Sequence, residues 1–282
     1  MRFSRTPLLV RALFFFVIAL PLATPVNFVV IQPGEGAPLF PKVLQLKKGF
    51  EEKIETYKPD GQMYLLSIWV SNPDAKVLGA EIVQCWVRSD CAVIPRSAVY
   101  QKGTNTKAEV KKSTAEMKVS QNTAVAATKL ILQKKFPDVD TSELVDGALN
   151  ISLKNTGGPS GGLVFALGLT ELLTPADLLQ GRKIAASGTI TAAGKVGPIG
   201  GITEKIIAAK RVGATVLFAA RENCEDLPTD VSGISVVAVS TLEEALEYLQ
   251  KPAESSARGV IGCTNLSAVS YTHLTLPTKR IV

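Results

Sequence analysis

The residues Gly157-Gly158-Pro159-Ser160-Gly161-Gly162 place one serine hydroxyl among glycines. They lie between alternating apolar positions (Leu149, Ile151, Leu153) and the strongly apolar stretch Gly161–Leu173. That order predicts a strand, a tight turn and a helix. A helix N-terminus offers unpaired N–H groups and a partial positive charge. A developing oxyanion needs both. Glycines such as Gly158 and Gly161 let a second backbone come close. The same segment also reads as a Gly-rich turn in which Ser160 is only a helix cap.

Gly158-x-Ser160-x-Gly162 fits the nucleophile elbow of serine hydrolases that use a later acid and then a histidine. The chain has a single histidine, His273, in its last fourteen residues. A serine nucleophile here therefore needs another base. A lysine serves if it is neutral, and burial lowers its pKa by disfavouring the ammonium form. Lys205 is the candidate. It stands in Gly200-Gly201-Ile202-Thr203-Glu204-Lys205-Ile206-Ile207, in the expected first turn of an amphipathic helix. Positive helix-end potential disfavours its charge further. The plain alternative is an ordinary surface lysine.

Three segments together resemble the proteolytic domain of Lon-type peptidases in order and spacing. They are Gly158-Pro159-Ser160-Gly161-Gly162, then Ser187-Gly188-Thr189-Ile190, then Gly197-Pro198-Ile199-Gly200-Gly201-Ile202-Thr203-Glu204-Lys205. The resemblance covers roughly Gln62 to Gln250. It implies a serine–lysine dyad of Ser160 and Lys205, with Ser187 hydrogen-bonding the lysine where Thr is more usual. It also implies the compact α/β (α+β) fold related to the ribosomal S5 domain 2-like fold, and assembly into homo-oligomeric rings. Gly157 departs from the acidic residue that ATP-dependent members carry three positions before the serine. No ATPase module is expected with the domain, and Gly188 to Gly194-Lys195-Val196 has the wrong spacing and ending for a phosphate loop. The expected activity is an ATP-independent serine endopeptidase acting on unfolded or flexible polypeptide, with no cofactor and no metal. The rival is a non-catalytic Lon-like scaffold at the membrane.

The segments around these motifs set the expected organisation. The 282 residues carry 46% hydrophobic and 20% charged residues, which permits a large core and disfavours wholesale disorder. Net charge is +6, but Arg2, Arg5, Arg11, Lys279 and Arg280 supply most of it. Residues 12–278 hold 26 basic against 25 acidic residues, which argues against nucleic acid as a partner. Ala12–Gly34 contains no charge, and Ala12–Ile31 predicts a single transmembrane helix within residues 1–33. Its preceding arginines predict a cytoplasmic N-terminus and an extracytoplasmic catalytic domain. A cleaved signal peptide and a buried core helix are the alternatives. Val29-Val30-Ile31-Gln32-Pro33-Gly34 after that span resembles bacterial membrane-anchored, PDZ-containing Lon-like proteases, although no room for a PDZ module lies between Ser120 and Ser160.

Residues 34–61 read as an irregular lead-in and 62–250 as the proteolytic domain. Residues 251–268 read as a linker, and 269–282 as a non-native tail resembling a sequencing-adapter read-through. Within the domain, Met63–Val70, Ala80–Val87, Ile184–Thr191, Val216–Ala219 and Ile234–Val239 predict strands. Gln101–Ser120 reads as a Lys-rich solvated segment. Thr123–Phe136, Thr203–Val212 (Thr203 as cap, Gly213 as stop) and Leu242–Leu249 (Ser240 and Glu243 as a capping box) predict helices. Cys85 and Cys91 are placed for a disulfide in an oxidising compartment, or are two buried thiols. Cys224 reads as structural.

Overall fold

The computed structural model describes residues 7–50, 52–147, 149–151, 156–253 and 259–263. Helix α1 (Leu8–Ala23) is followed by β1 (Phe28–Pro38), a π-helical turn (Leu39–Val43), β2 (Leu44–Leu46) and β3 (Gln62–Val70). Next come α2 (Gly79–Val87), β4 (Ala92–Pro95), the single turn α3 (Arg96–Val99) and the long α4 (Thr106–Lys135). β5 (Leu149–Ile151), a 3-10 turn (Pro159–Gly161), α5 (Gly162–Leu173), β6 (Lys183–Ser187), β7 (Thr189–Ile190) and β8 (Val196–Gly197) lead to α6 (Ile202–Arg211). The chain continues with β9 (Val216–Ala220), a second 3-10 turn (Arg221–Asp226), β10 (Ser235–Val239), α7 (Leu242–Leu249) and β11 (Val260–Ile261).

The main sheet has the order β11-β10-β9-β6-β3-β1-β4. Strands β3, β6, β9, β10 and β11 run parallel, and β1 pairs antiparallel with both β3 and β4. Successive strand residues serve opposite faces. Ile184, Ala186, Val216 and Phe218 join a core with α4, α5 and α7. Ala185, Leu217 and Val236 join a second core with α6. β9 and β10 are covered on both sides, which is why they read as unbroken apolar runs. α5 is buried on nearly every side, and mostly apolar, because it lies inside the larger core.

Several expectations change. No helix among the described residues is long and apolar enough to cross a membrane. α1 stops at Ala23, and the end of the expected span, from Phe28, is strand β1. Thr24 and the following bridge of Pro25 to Leu78 turn the chain into the sheet, helped by Gly79, where a β-carbon would strike the Pro21 carbonyl. The expected irregular lead-in instead supplies the end of β1, the π-helical turn and β2. β1 shifts register between Pro33 and Gly36, a bulge where Gly36 lies against Val212 of the α6 end.

Ala80–Val87 is helix α2 rather than a strand. The Glu81 carboxylate accepts from Leu78 N–H at 2.9 Å, and Ile82 and Cys85 are buried three apart. Most of the Lys-rich segment 101–120 is the first half of α4, capped by the Asn105 side chain accepting from Ala108 N–H at 2.9 Å. Its buried Met117 and Ser120 continue the stripe of Ala124, Ala127 and Ile131, so the lysines occupy the wet face. The expected strand 184–191 breaks at Gly188 into β6 and β7. α6 begins after Gly201 in the left-handed conformation, φ 68°, so Thr203 lies inside the helix and is not its cap. Gly213, φ 72°, ends it as expected. Thr241, one residue after Ser240, caps α7 by accepting from Glu244 N–H.

Part of the expected linker after residue 250 is structure. β11 extends the sheet parallel to β10, and Cys263 is disulfide-bonded to Cys224. Cys85 and Cys91 form a second disulfide between α2 and β4. Leu153 and residues 269–282, with His273, lie outside the described residues. The Cys224–Cys263 bridge closes a loop of 39 residues, so a Cys224→Ser, Cys263→Ser variant should lose roughly 2–4 kcal/mol of stability. Thermal melts should show reductant lowering the wild-type Tm toward that of the variant. A variant melting with oxidised wild type would remove this bridge from the account.

Candidate active site

The serine turn is braced from behind by α4. Gly158, φ 89°, donates its N–H to the Ser113 carbonyl at 2.8 Å, and Ser120 Oγ donates to the Pro159 carbonyl at 3.0 Å. A β-carbon on Gly157 would fall against the side chain and backbone of Ser113. The packing against α4 thus accounts for glycine at position 157. Gly161 is buried, and a β-carbon there would meet the Phe165 ring and Leu65. The glycines on either side of Ser160 therefore meet the close-approach requirement in two ways, Gly158 through its dihedral and Gly161 through packing.

The front of the turn is fastened to the break between β6 and β7. Gly188 N–H and Ser187 Oγ both donate to the Ser160 carbonyl, at 3.0 and 3.2 Å. Gly188 in turn accepts from Leu163 N–H at 3.1 Å. Ser187 ends β6, at the carboxyl edge of the parallel strands, where open α/β sheets form their sites. Its residue is 1% exposed.

α6 brings Lys205 to the same point from the other face of the sheet. Its first-turn hydrogen bond runs from Lys205 N–H to the Gly201 carbonyl at 3.0 Å. Ile202, Ile206 and Ala209 bury the helix against Leu66, Ala185 and Leu217. Lys205 itself is 2% exposed. Its Nζ lies 2.9 Å from Ser160 Oγ and 2.8 Å from Ser187 Oγ. Burial lowers its pKa from 10.5 to about 7. A neutral amine has one lone pair and two N–H bonds. Ser187 uses its own proton on the Ser160 carbonyl, so its oxygen accepts from Lys205. The Lys205 lone pair is then free for the Ser160 hydroxyl proton.

All three side chains singled out in the sequence, Ser160, Ser187 and Lys205, thus meet within hydrogen-bond reach. Beside them, an open groove of about 330 Å³ runs between α4 and β7, walled by Ala115, Val119, Pro159 and Ile190. The sequence reading missed Asn223, whose side chain is buried and bound to the backbone of Ile199. Its signal was a polar residue within the otherwise exposed run Arg221–Asp226, which nothing in the pattern distinguishes.

The family profile of the Lon protease (S16) C-terminal proteolytic domain matches residues 99–251. Lon protease 1 of Bacillus subtilis is 38% identical over 95 residues, 32% of this chain and 12% of that protein. The mitochondrial Lon protease homolog of Caenorhabditis elegans is 35% identical over 139 residues, 47% of this chain and 14% of that protein. Lon protease 2 of Herpetosiphon aurantiacus is 30% identical over 203 residues, 67% of this chain and 23% of that protein. The chain spans less than a quarter of the length of each of these three relatives. With the profile covering more than half of its residues, the chain belongs to the family of Lon protease C-terminal proteolytic domains.

Proposed function

We propose that this chain is a serine endopeptidase in which Ser160 is the nucleophile and Lys205 the base, acting on unfolded or flexible polypeptide. The observation that carries the reading is the 2.9 Å contact of a buried lysine Nζ with a serine Oγ at the start of a helix. Ser160 Oγ attacks the peptide carbonyl carbon, and its proton passes to Lys205 Nζ. Backbone N–H groups of the 159–161 turn receive the oxyanion. As the C–N bond breaks, the Lys205 ammonium returns the proton to the leaving amine. Lys205 then takes a proton from water, which hydrolyses the acyl ester and restores the Ser160 hydroxyl. Ser187 orients the amine. No step consumes a nucleotide, and none of the residues involved calls for a metal or cofactor. Ring assembly and the S5 domain 2-like arrangement implied by the resemblance belong to the same proposal.

Membrane attachment outside the cytoplasm is the companion proposal. α1 is apolar apart from Arg11 near its start, and most of its large apolar side chains are exposed, although its 16 residues span only about 24 Å. Two disulfides favour an oxidising compartment. Protease added after removal of outer layers should digest the domain while the inner membrane is intact. Protection until that membrane is lysed would overturn the location.

Digestion of an unfolded protein should disappear in Ser160→Ala, and a fluorophosphonate should label wild type only. A scaffold without turnover would leave Ser160 unlabelled. Lys205→Arg should be as inactive as Lys205→Ala, because guanidinium stays protonated. Ser187→Ala should retain part of the rate, since it removes an orienting bond and not the base.

Activity should rise with pH through about 7, as Lys205 loses its proton. Stability should follow the same group. Its pKa is lower folded than unfolded, so between about 7 and 10.5 the unfolded chain binds the extra proton and stability climbs with pH. Below about 7 the folded state carries the full penalty, on the order of 5 kcal/mol. Lys205→Met should therefore melt higher than wild type at pH 6, with the gap shrinking toward pH 10. An equal gap at both pH values would show that the amine is not held neutral by folding.

A further inference from the structure

The segment Pro198–Gly201, which delivers α6, touches the core at two points, Ile199 against the second core and Gly201 against Ile68. Pro198 and Gly200 are exposed, and a β-carbon on Gly200 would meet nothing within 4 Å. Yet six residues after Ile199 the chain must place Lys205 Nζ within 3 Å of two hydroxyls. One side chain holds the backbone polar groups of Ile199. Asn223, 1% exposed, accepts from Ile199 N–H at 3.0 Å and donates to the Ile199 carbonyl at 2.8 Å. Its other donor contact, at 3.4 Å to the Asp226 carboxylate, fixes which end of the amide is oxygen.

The 3-10 turn that carries Asn223 is itself anchored on both sides of it. Arg221 donates to Ser240 Oγ at 2.9 Å and to the Glu244 carboxylate at 2.7 Å. Cys224 is tied to Cys263. The turn starts immediately after β9, the neighbour of β6, at the same carboxyl edge as Ser187. This anchored turn thus holds the backbone of the entry to α6, and that entry leads directly into the helix of the amine.

Resting on the dyad reading above, we infer that Asn223 is a positioning residue for the Ser160–Lys205 pair, holding both backbone polar groups of Ile199 so that α6 starts where Lys205 reaches Ser160. Asn223 touches neither reacting atom. Its loss leaves two backbone groups without a partner and frees the entry to α6. Displacements of about 1 Å at a reacting group cost on the order of 100-fold in rate.

The test uses the full chain with Asn223→Ala and the isosteric Asn223→Asp, at a temperature below the melting point of every variant. Asp keeps the shape but loses the donors and sets a negative oxygen against the Ile199 carbonyl and Asp226. With an unfolded casein as substrate, both variants should lose roughly 10- to 100-fold in kcat with KM little changed. The pH midpoint of kcat should move, and the Ile199 amide should exchange faster with deuterium. If Asn223→Ala does not fold, the Asp isostere carries the test. A kcat within about twofold of wild type, an Asp variant that behaves as wild type, or an unchanged Ile199 amide would overturn the inference. The 13Cε titration of Lys205 keeps the two proposals apart. If wild type shows no Ser160-dependent turnover the dyad reading fails, while a Lys205 midpoint shifted in both variants still supports the clamp and an unshifted one removes it.

Discussion

An ammonium group is hard to take out of water, and the structure around Lys205 is arranged so that this group must be. The α6 residues one turn away, Ile202, Ala208 and Ala209, are apolar, its helix packs against the sheet, and among the described residues its amine hydrogen-bonds the hydroxyls of Ser160 and Ser187. No carboxylate contributes to its shift; burial alone brings the pKa to about 7. An acidic partner would have favoured the charged form. The rest of the site keeps this amine out of water and within reach of two hydroxyls.

Glu171 shows why a displaced pKa is not by itself a site. It is buried in α5 and pushed up to about 7, as Lys205 is pushed down. Its carboxylate accepts from Leu178 N–H at 3.1 Å and closes the turn after the helix, with Arg182 nearby. Its hydrogen bonds go to backbone N–H groups and not to a side-chain hydroxyl. The difference between the two groups is what they touch, and that is decided by topology. β6 ends with Ser187, β9 ends just before the Asn223 turn, and α4 backs the serine turn. Three separate elements must dock before Lys205, Ser187 and Ser160 come together.

The site was more legible than the fold around it. Ser160, Ser187 and Lys205 stand in short motifs whose residue types are restricted by close approach and by chemistry, so their order carried the inference. The elements that failed were those in which tertiary packing outvoted pattern. Ala80–Val87 has the apolar content of a strand, but Glu81 capping Leu78 and the burial of Ile82 and Cys85 make it a helix. The lysines of 107–118 suggested a solvated loop. They are good helix formers on the wet side of α4, whose buried stripe is thin in its first half.

The sequence by itself determined the family, the serine at a strand-to-helix turn, the lysine in an amphipathic first turn and the apolar central strands. These are local properties, set by glycine conformations, periodicity and spacing. Only the tertiary structure decided that residues 28–38 leave α1 to join the sheet, that Cys224 meets Cys263, and that a buried Asn223 grips Ile199. Those outcomes depend on contacts between residues 24 to 39 positions apart or more. Local pattern is blind to them, because the free energy that selects them comes from burial and pairing that exist only after the sheet has closed.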